Sequence, residues 1–328
     1  MFETLSNMMK DAGSDNVAVA AQASADLALA LQVPIREAIF PGDLYNDLFT
    51  IEERSENDDI RYATDLVQPG REDEFVAYTV PRHGAPPERL VEPDFIRVNV
   101  SEAFDSIEIP LSALRFGEYN VLRRALQILQ YGCTKKMNDD CFHAITAAGT
   151  GRGFVVVDAA ATAGVFSKDL LLKMQAKMRR STGSNASSVD GFRLGRIYVS
   201  PEVRSTIASF TNAQLDEITR REIITSPEGR IESLFGTEIR DIVELGVAGK
   251  YQNYAMTVQG LVLPTPKTEL VIGVDLHKRD RLVMPMTQKP TVTDDSAAYK
   301  RRNLASYFVR FAYGTSVLDD RVIILGAC

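Results

Sequence analysis

Residues 117–148 place Ala125, Leu129, Cys133, Met137, Cys141 and Ile145 at steps of four, joined by Val121, Leu122, Leu126 and Phe142. Apolar side chains at that spacing form one broad stripe along a helix of about eight turns. Arg123-Arg124 and Lys135-Lys136 fall mostly on the other side. About thirty residues at 1.5 Å each give a rod near 45 Å, well beyond the usual globular helix. The glycines of Gly149-Thr-Gly-Arg-Gly153 are a helix stop. A rod of this length with one apolar face needs a broad surface to lie on, which limits the folds open to the chain.

The segments on either side differ in character. Residues 1–32 read as helical, and Val17–Leu31 is nearly continuous Ala, Val and Leu, so it must be covered, either in the core or as an arm on a neighbouring subunit. From 33 to 116, Pro34, Pro41, Pro69, Pro81, Pro86, Pro87, Pro93 and Pro110 preclude a long helix. Strand-like runs occur at Phe75–Val80, Phe95–Val100 and Ser106–Ile109, with a loop from Pro81 to Glu88 between the first two. This stretch reads as a long two-stranded excursion, which is marginal in water without a partner surface.

Charge concentrates there. The chain carries 44 acidic and 37 basic residues for a net charge of −7. Residues 51–97 hold twelve acids against six arginines and no lysine, so nearly all of the imbalance sits in the excursion. An acidic chain is not a general nucleic-acid binder, although local basic faces remain: Lys173, Lys177, Arg179 and Arg180 at a helix end, Lys278-Arg-Asp-Arg281, and Lys300-Arg-Arg302.

After the long helix come a strand at Phe154–Val157, a helix at Lys168–Arg180 and a disordered-looking Ser181–Ser188. A strand at Leu194–Val199 leads to a helix capped by Ser200 with Pro201 at its first position. A short helix at Leu215–Ile223, a glycine-punctuated strand region at Ile231–Val247, a buried strand at Glu269–Val274 and a strand at Val283–Met286 follow. Two final runs, Ser306–Tyr313 and Arg321–Leu325, flank Gly314 and Asp319-Asp320 and read as a terminal hairpin. The fold class is α+β, without a regular βαβ repeat.

Catalytic chemistry is not visible. His83, His143 and His277 lie far apart without ligand spacing. Gly149-x-Gly-x-Gly153 ends a helix and precedes a strand, the wrong order for a phosphate cradle. Asp139-Asp140 and Asp319-Asp320 are adjacent pairs whose side chains diverge. Cys133, Cys141 and Cys328 make an odd set with no Cys-x-x-Cys spacing, which argues for a reducing compartment. No secretory leader and no membrane span are expected. Neither a metal nor a cofactor is expected.

The order of arm, acidic excursion, long helix, α+β lobe and terminal strands resembles the major capsid proteins of tailed bacteriophages, with their Hong Kong 97-type fold. The carriers are Lys135-Lys-Met-Asn-Asp-Asp140 on the helix, the Ser200-Pro201-Glu202 step, Thr219-Arg-Arg-Glu222, and the ending Val317-Leu-Asp-Asp-Arg-Val-Ile-Ile-Leu-Gly326. The resemblance implies an N-terminal arm at 1–50, an extended loop at 51–105, and a peripheral domain with its spine helix at 106–150. It implies an axial domain at 151–265 and a return to the peripheral domain at 266–328. It also implies self-assembly into hexamers and pentamers of an icosahedral shell around double-stranded DNA. Portal, scaffolding and decoration proteins are the implied partners, and the virion, assembled in the bacterial host cytoplasm, the implied location. Glu52, Glu53, Asp58, Asp59, Glu72, Asp73 and Glu74 of the loop, with Lys173, Lys177, Arg179 and Arg180, are the candidate contacts between subunits. Some family members form a Lys–Asn cross-link from a loop lysine; with no lysine between 51 and 97, no cross-link of that form is expected. The alternatives are an encapsulin-type shell enclosing a protein, and a cytoplasmic α+β enzyme with an unrecognised site.

Overall fold

The computed structural model describes residues 44–56, 58–63, 95–112, 119–181, 191–208, 233–247, 249–294 and 302–328, with helical positions scattered between 7 and 28. The expectations for Phe75–Val80, the Pro81–Glu88 loop, Leu215–Ile223 and most of Ser181–Ser188 lie outside these residues. In chain order the labelled elements are α1 (Leu44–Leu48), β1 (Thr50–Glu53), β2 (Arg61–Ala63), β3 (Phe95–Arg97), β4 (Ser101–Pro110), α2 (Tyr119–Gly151) and β5 (Val156–Val157). Then follow α3 (Lys168–Arg180), β6 (Arg196–Val199), α4 (Pro201–Ala208), β7 (Ser233–Leu234), β8 (Thr237–Asp241) and α5 (Lys250–Thr257). The chain closes with β9 (Leu270–Val274), β10 (Leu282–Asp294), β11 (Leu304–Tyr313), β12 (Ser316–Val317) and β13 (Ile323–Ala327).

Two compact units emerge. The first comprises Met1–Ile60, Arg97–Cys141 and Val283–Ser316; the second comprises Arg61–Ile96, Phe142–Leu282 and Val317–Cys328.

In the first unit the strands run in the order β1-β10-β11-β4, with β1 parallel to β10 and the remaining pairs antiparallel. Tyr307, Val309, Phe311 and Tyr313 of β11 alternate onto one buried face, as the period-two pattern requires. That face meets α2, because the Tyr313 hydroxyl donates to Asp140 Oδ2 at 2.6 Å. The expected stripe is buried: Ala125, Leu129, Cys133, Met137 and Cys141 are each 5% exposed or less. Each fully buried Leu, Met or Phe contributes about 1.5–3 kcal/mol relative to exposure. The pairing of β10 with β11 shifts register between Gln288 and Thr291, where Pro290 has no N–H to donate.

In the second unit six strands run in the order β5-β13-β9-β6-β8-β7. Every residue of β9 and β13 is buried, because both faces of these central strands are covered. Leu170, Leu171, Met174 and Met178 of α3 are buried. A Cβ at Gly326 would stand 2.6 Å from Met174 Sδ, and one at Gly273 would stand 3.1 Å from Met174 Cε. Two glycines on paired strands thus make the slot for one methionine. On the opposite face Leu325 packs against Gly149, in the last turn of α2, where a Cβ would fall 2.7 Å from Leu325 Cγ.

The terminal hairpin is not formed. β11 pairs with β10 and β4 in the first unit, whereas β13 pairs with β9 and β5 in the second. Both edges of each strand are already occupied. The connection also contains a further short strand, Ser316–Val317, and a 3-10 turn, Asp320–Val322, too much structure for a tight hairpin loop. Asp319 caps that 3-10 turn, its Oδ1 accepting from the Arg321 N–H at 3.0 Å, and its carboxylate is buried and paired with the equally buried Arg321 guanidinium at 2.8 Å.

Candidate inter-subunit surfaces

In the first unit, the acids at the start of the excursion already have partners within the chain. Glu52 Oε2 accepts from Arg54 Nη2 at 2.7 Å. Glu53 pairs across to Lys289 of β10 at 2.7 Å. Asp58 Oδ2 accepts from the Ser55 N–H at 2.9 Å and closes a turn, and Asp59 pairs with Arg97 at 3.4 Å. Exposed pairs such as Glu53–Lys289 and Asp59–Arg97 contribute about 0–1 kcal/mol each, so they exchange cheaply for another partner. Glu72, Asp73 and Glu74 lie outside the described residues.

At the other end of the sheet from β1, β4, among the described residues, pairs only with β11. Its outward face shows Phe104, 62% exposed, with the Arg310 guanidinium 5.6 Å from the ring centroid. Glu102, which pairs with Arg310, and Glu108 flank it. Charge along an edge strand guards it against uncontrolled pairing.

In the second unit, α3 carries the candidate cations on its outer face. Ser167 caps the helix by accepting from the Leu170 N–H at 3.1 Å. The same hydroxyl donates to Asp158 at 2.7 Å, and Lys173 reaches the other oxygen of Asp158 at 2.9 Å. The Ser167 hydroxyl and the Lys173 ammonium together hold the Asp158 carboxyl down to about 2, against the effect of burial. Lys177 lies over the Phe154 ring at 4.7 Å, and Arg152 lies over the same ring at 4.8 Å. Arg152 also donates to the Ile323 carbonyl and the Ser181 hydroxyl. Lys173 and Lys177 therefore hold α3 to its own unit, while Arg179 and Arg180 end the helix exposed.

Sequence reasoning missed a set of exposed valines. Val243 and Val247 sit in the loop before α5, 79% and 61% exposed; Val258 and Val262 follow α5, 64% and 78% exposed. No periodicity marks them, because they belong to loops rather than to one face of an element.

The three thiols are buried. Burial and the nearby Asp105 push Cys133 up to about 12, and burial and Glu269 do the same for Cys328. Among the described residues no three His, Cys, Asp or Glu side chains converge as metal ligands, and no helix is long and apolar enough to cross a membrane.

The family described as phage capsid protein matches residues 106–324, two-thirds of the sequence. The chain belongs to that family. No curated protein matches this capsid protein. Similar solved structures include one from Microbacterium phage Oxtober96, with a TM-score of 0.55 and 10% identity over 88% of this chain and 91% of that one. The mature capsid of bacteriophage PhiM1 gives a TM-score of 0.51 and 10% identity over 87% of both chains. A structure from Mycobacterium phage Bobi gives 0.50 and 14% over 88% and 90%. At these identities the likeness establishes the fold, which is the Hong Kong 97-type capsid fold. The capsid protein is a structural shell subunit rather than an enzyme.

Proposed function

We propose that this capsid protein assembles with copies of itself into hexamers and pentamers of an icosahedral shell that encloses double-stranded DNA in the virion. The family match across α2 and both sheets carries the reading. The acidic excursion of one subunit lies on its neighbour, exchanging weak internal pairs such as Glu53–Lys289 for pairs across the boundary, with Arg179 and Arg180 among the cations that meet it. Individually weak contacts, repeated at every boundary, hold a closed shell while allowing wrong additions to dissociate. The N-terminal 1–50 acts as an arm, 106–150 with 266–328 as the peripheral domain, and 151–265 as the axial domain. Portal, scaffolding and decoration proteins are the further partners, and assembly takes place in the host cytoplasm.

Expression of the chain alone, followed by analytical ultracentrifugation and negative-stain microscopy, tests this. Shells, or capsomers that close when salt or a scaffold is supplied, are expected. A monomer or dimer that never assembles would refute it. Shells from infected cells that hold nuclease-protected DNA separate this reading from a protein-enclosing compartment.

A further inference from the structure

One aromatic of the second unit sits in a turn that disfavours aromatics. Phe235 and Gly236 connect β7 to β8, with φ of +51° and +76°. A two-residue hairpin turn with positive φ at both positions selects Asn, Asp or Gly, and a bulky side chain there is an outlier. The turn nonetheless carries the Phe235 ring at the surface, 46% exposed. It is held in place from α3. Gln175 donates to the Phe235 carbonyl at 3.1 Å and to the Thr237 hydroxyl at 2.9 Å, and Lys168 lies over the ring at 5.1 Å. Strain that the surroundings enforce clusters where a contact needs it.

A pocket of matching character lies at the opposite edge of the same sheet. Its volume is about 310 Å³, and its lining includes Thr150 of the last turn of α2, Phe154 and Val155 ahead of β5, and Leu261 and Val262 after α5. That is the small end of the range for binding pockets, room for one large side chain. Val262 is 78% exposed, and a Cβ on Gly153 or Gly260, both in the lining, would meet nothing within 4 Å.

Strand directions place ring and pocket at the same end of the sheet. β5 is parallel to β13, β13 and β6 are both antiparallel to β9, and β6 is parallel to β8. β5 and β8 therefore run the same way. Phe154 and Val155 precede β5, and Phe235 precedes β8. At about 4.8 Å per strand the two edges stand roughly 20 Å apart. The contacts of α3 agree: Gln175 holds Phe235, while Lys177, two residues on and so facing away, lies over Phe154. One chain cannot fill its own pocket.

Charge points to the same match. The long helix α2 has no basic residue in its last turn. Arg152, just beyond, is engaged by the Ile323 carbonyl and the Ser181 hydroxyl. A cation stabilises a helix C-terminus, and Lys168 accompanies the Phe235 ring.

We propose that Phe235 of one copy of this chain seats in the Phe154–Val262 pocket of the next copy, bringing Lys168 to the C-terminal end of α2. The inference rests on the self-assembly reading and names the surfaces that meet in it. A contact between two different patches of identical subunits is heterologous, and it closes into a ring when the rotation allows. A ring of this kind is a capsomer.

The test uses the full chain as wild type, as Phe235→Asn, and as the double variant Phe235→Cys with Val262→Cys. Asn suits the turn, so Phe235→Asn keeps the hairpin, and the melting temperature of its unassembled subunit should not fall. The concentration at which capsomers form, read by analytical ultracentrifugation, should rise about tenfold or more, the loss expected of a central aromatic anchor. Under mild oxidation the double variant should give a ladder of covalent multimers on denaturing gels, absent from either single variant. Positions 235 and 262 of one chain are too far apart to bridge, and the native cysteines are buried. Unimpaired assembly of Phe235→Asn, or absence of the ladder, overturns the proposal while wild-type assembly leaves the self-assembly reading standing. A wild-type chain that never assembles overturns both.

Discussion

The Asp105 carboxylate on β4 points at Gly132 of α2, and a Cβ at position 132 would collide with Oδ2. Asp105 lies on the same side of the strand as Ala103, Ile107 and Ile109, the side that meets the helix. An acid in that position is held against an apolar surface, with the Ser106 N–H donating to Oδ1 at 2.9 Å.

Burial raises the Asp105 carboxyl above its ordinary value, with the Ser106 N–H pulling the other way. A carboxyl raised on folding contributes stability that is fully present below its unfolded value near 3.8 and is lost as pH rises through the folded value. At neutral pH the ionised group therefore works against the fold. Asp105→Asn should raise the melting temperature of the unassembled subunit at pH 7, and the gain should shrink as pH falls toward 4. Thermal unfolding of both proteins across that range checks the sign, and a lower melting temperature at pH 7 would contradict it.

The thiols give a chemical check on the packing. Cys133 and Cys141 lie on the buried stripe of α2, and Cys328 is covered beside Glu269. Thiolate, not thiol, is the reactive form, and burial holds all three as thiols at pH 8. A disulfide-exchange reagent should titrate none of them in the folded chain and all three in denaturant. Rapid reaction of Cys133 in the native state would mean that α2 does not lie on its sheet as described.

The slot for Met174 makes a steric prediction. Gly326→Ala sets a methyl group against Met174 Sδ between α3 and β13, and overpacking of this kind costs about 1–3 kcal/mol. Met174→Ala alone leaves a cavity and costs about 2–5 kcal/mol. Combined, each change relieves the other, so the double variant should lose less than the sum of the single losses. Chemical denaturation of the four proteins closes the cycle, and simple additivity would place Met174 elsewhere.

These sites mark how far the sequence could be read. The spine helix and α3 were legible because a stripe at four-residue steps is a local pattern, and β9 because an unbroken apolar run bounded by polar residues needs cover on both faces. The terminal strands were legible as strands but not as partners. An alternating run, a glycine and a Val-Ile-Ile run fit a hairpin equally well, and what separates them is competition from β4, β10, β9 and β5, set by distant parts of the chain. The same holds for the candidate surfaces. Lys173 looked like a helix-end charge open to a partner, but Asp158, fifteen residues upstream in a loop, takes it. The pairing of Asp105 with Gly132 likewise leaves no trace at short range.

Asp158 carries the last prediction. Its carboxyl accepts from the N-cap hydroxyl of α3 and from Lys173, so one anion fixes both the start of the helix and its second turn. The group is held down to about 2, first by the Ser167 hydroxyl and then by Lys173. A carboxyl lowered on folding contributes stability that is present above its unfolded value of 3.8 and lost as pH falls through about 2. Asp158→Asn removes the anion but keeps the shape, and should cost about 1.5–3 kcal/mol near neutral pH, the range for hydrogen bonds to a charged group. Ser167→Ala should cost about 1 kcal/mol by loss of the cap. The deficit of Asp158→Asn should hold steady from pH 7 to about pH 4 and narrow below it, because wild type loses the same interaction as its carboxyl protonates. Denaturation midpoints measured at neutral pH and at intervals below pH 4 decide the matter. A deficit that stays constant to pH 2 would show that Asp158 acts by shape alone, and that the Lys173 ammonium contributes nothing to anchoring α3.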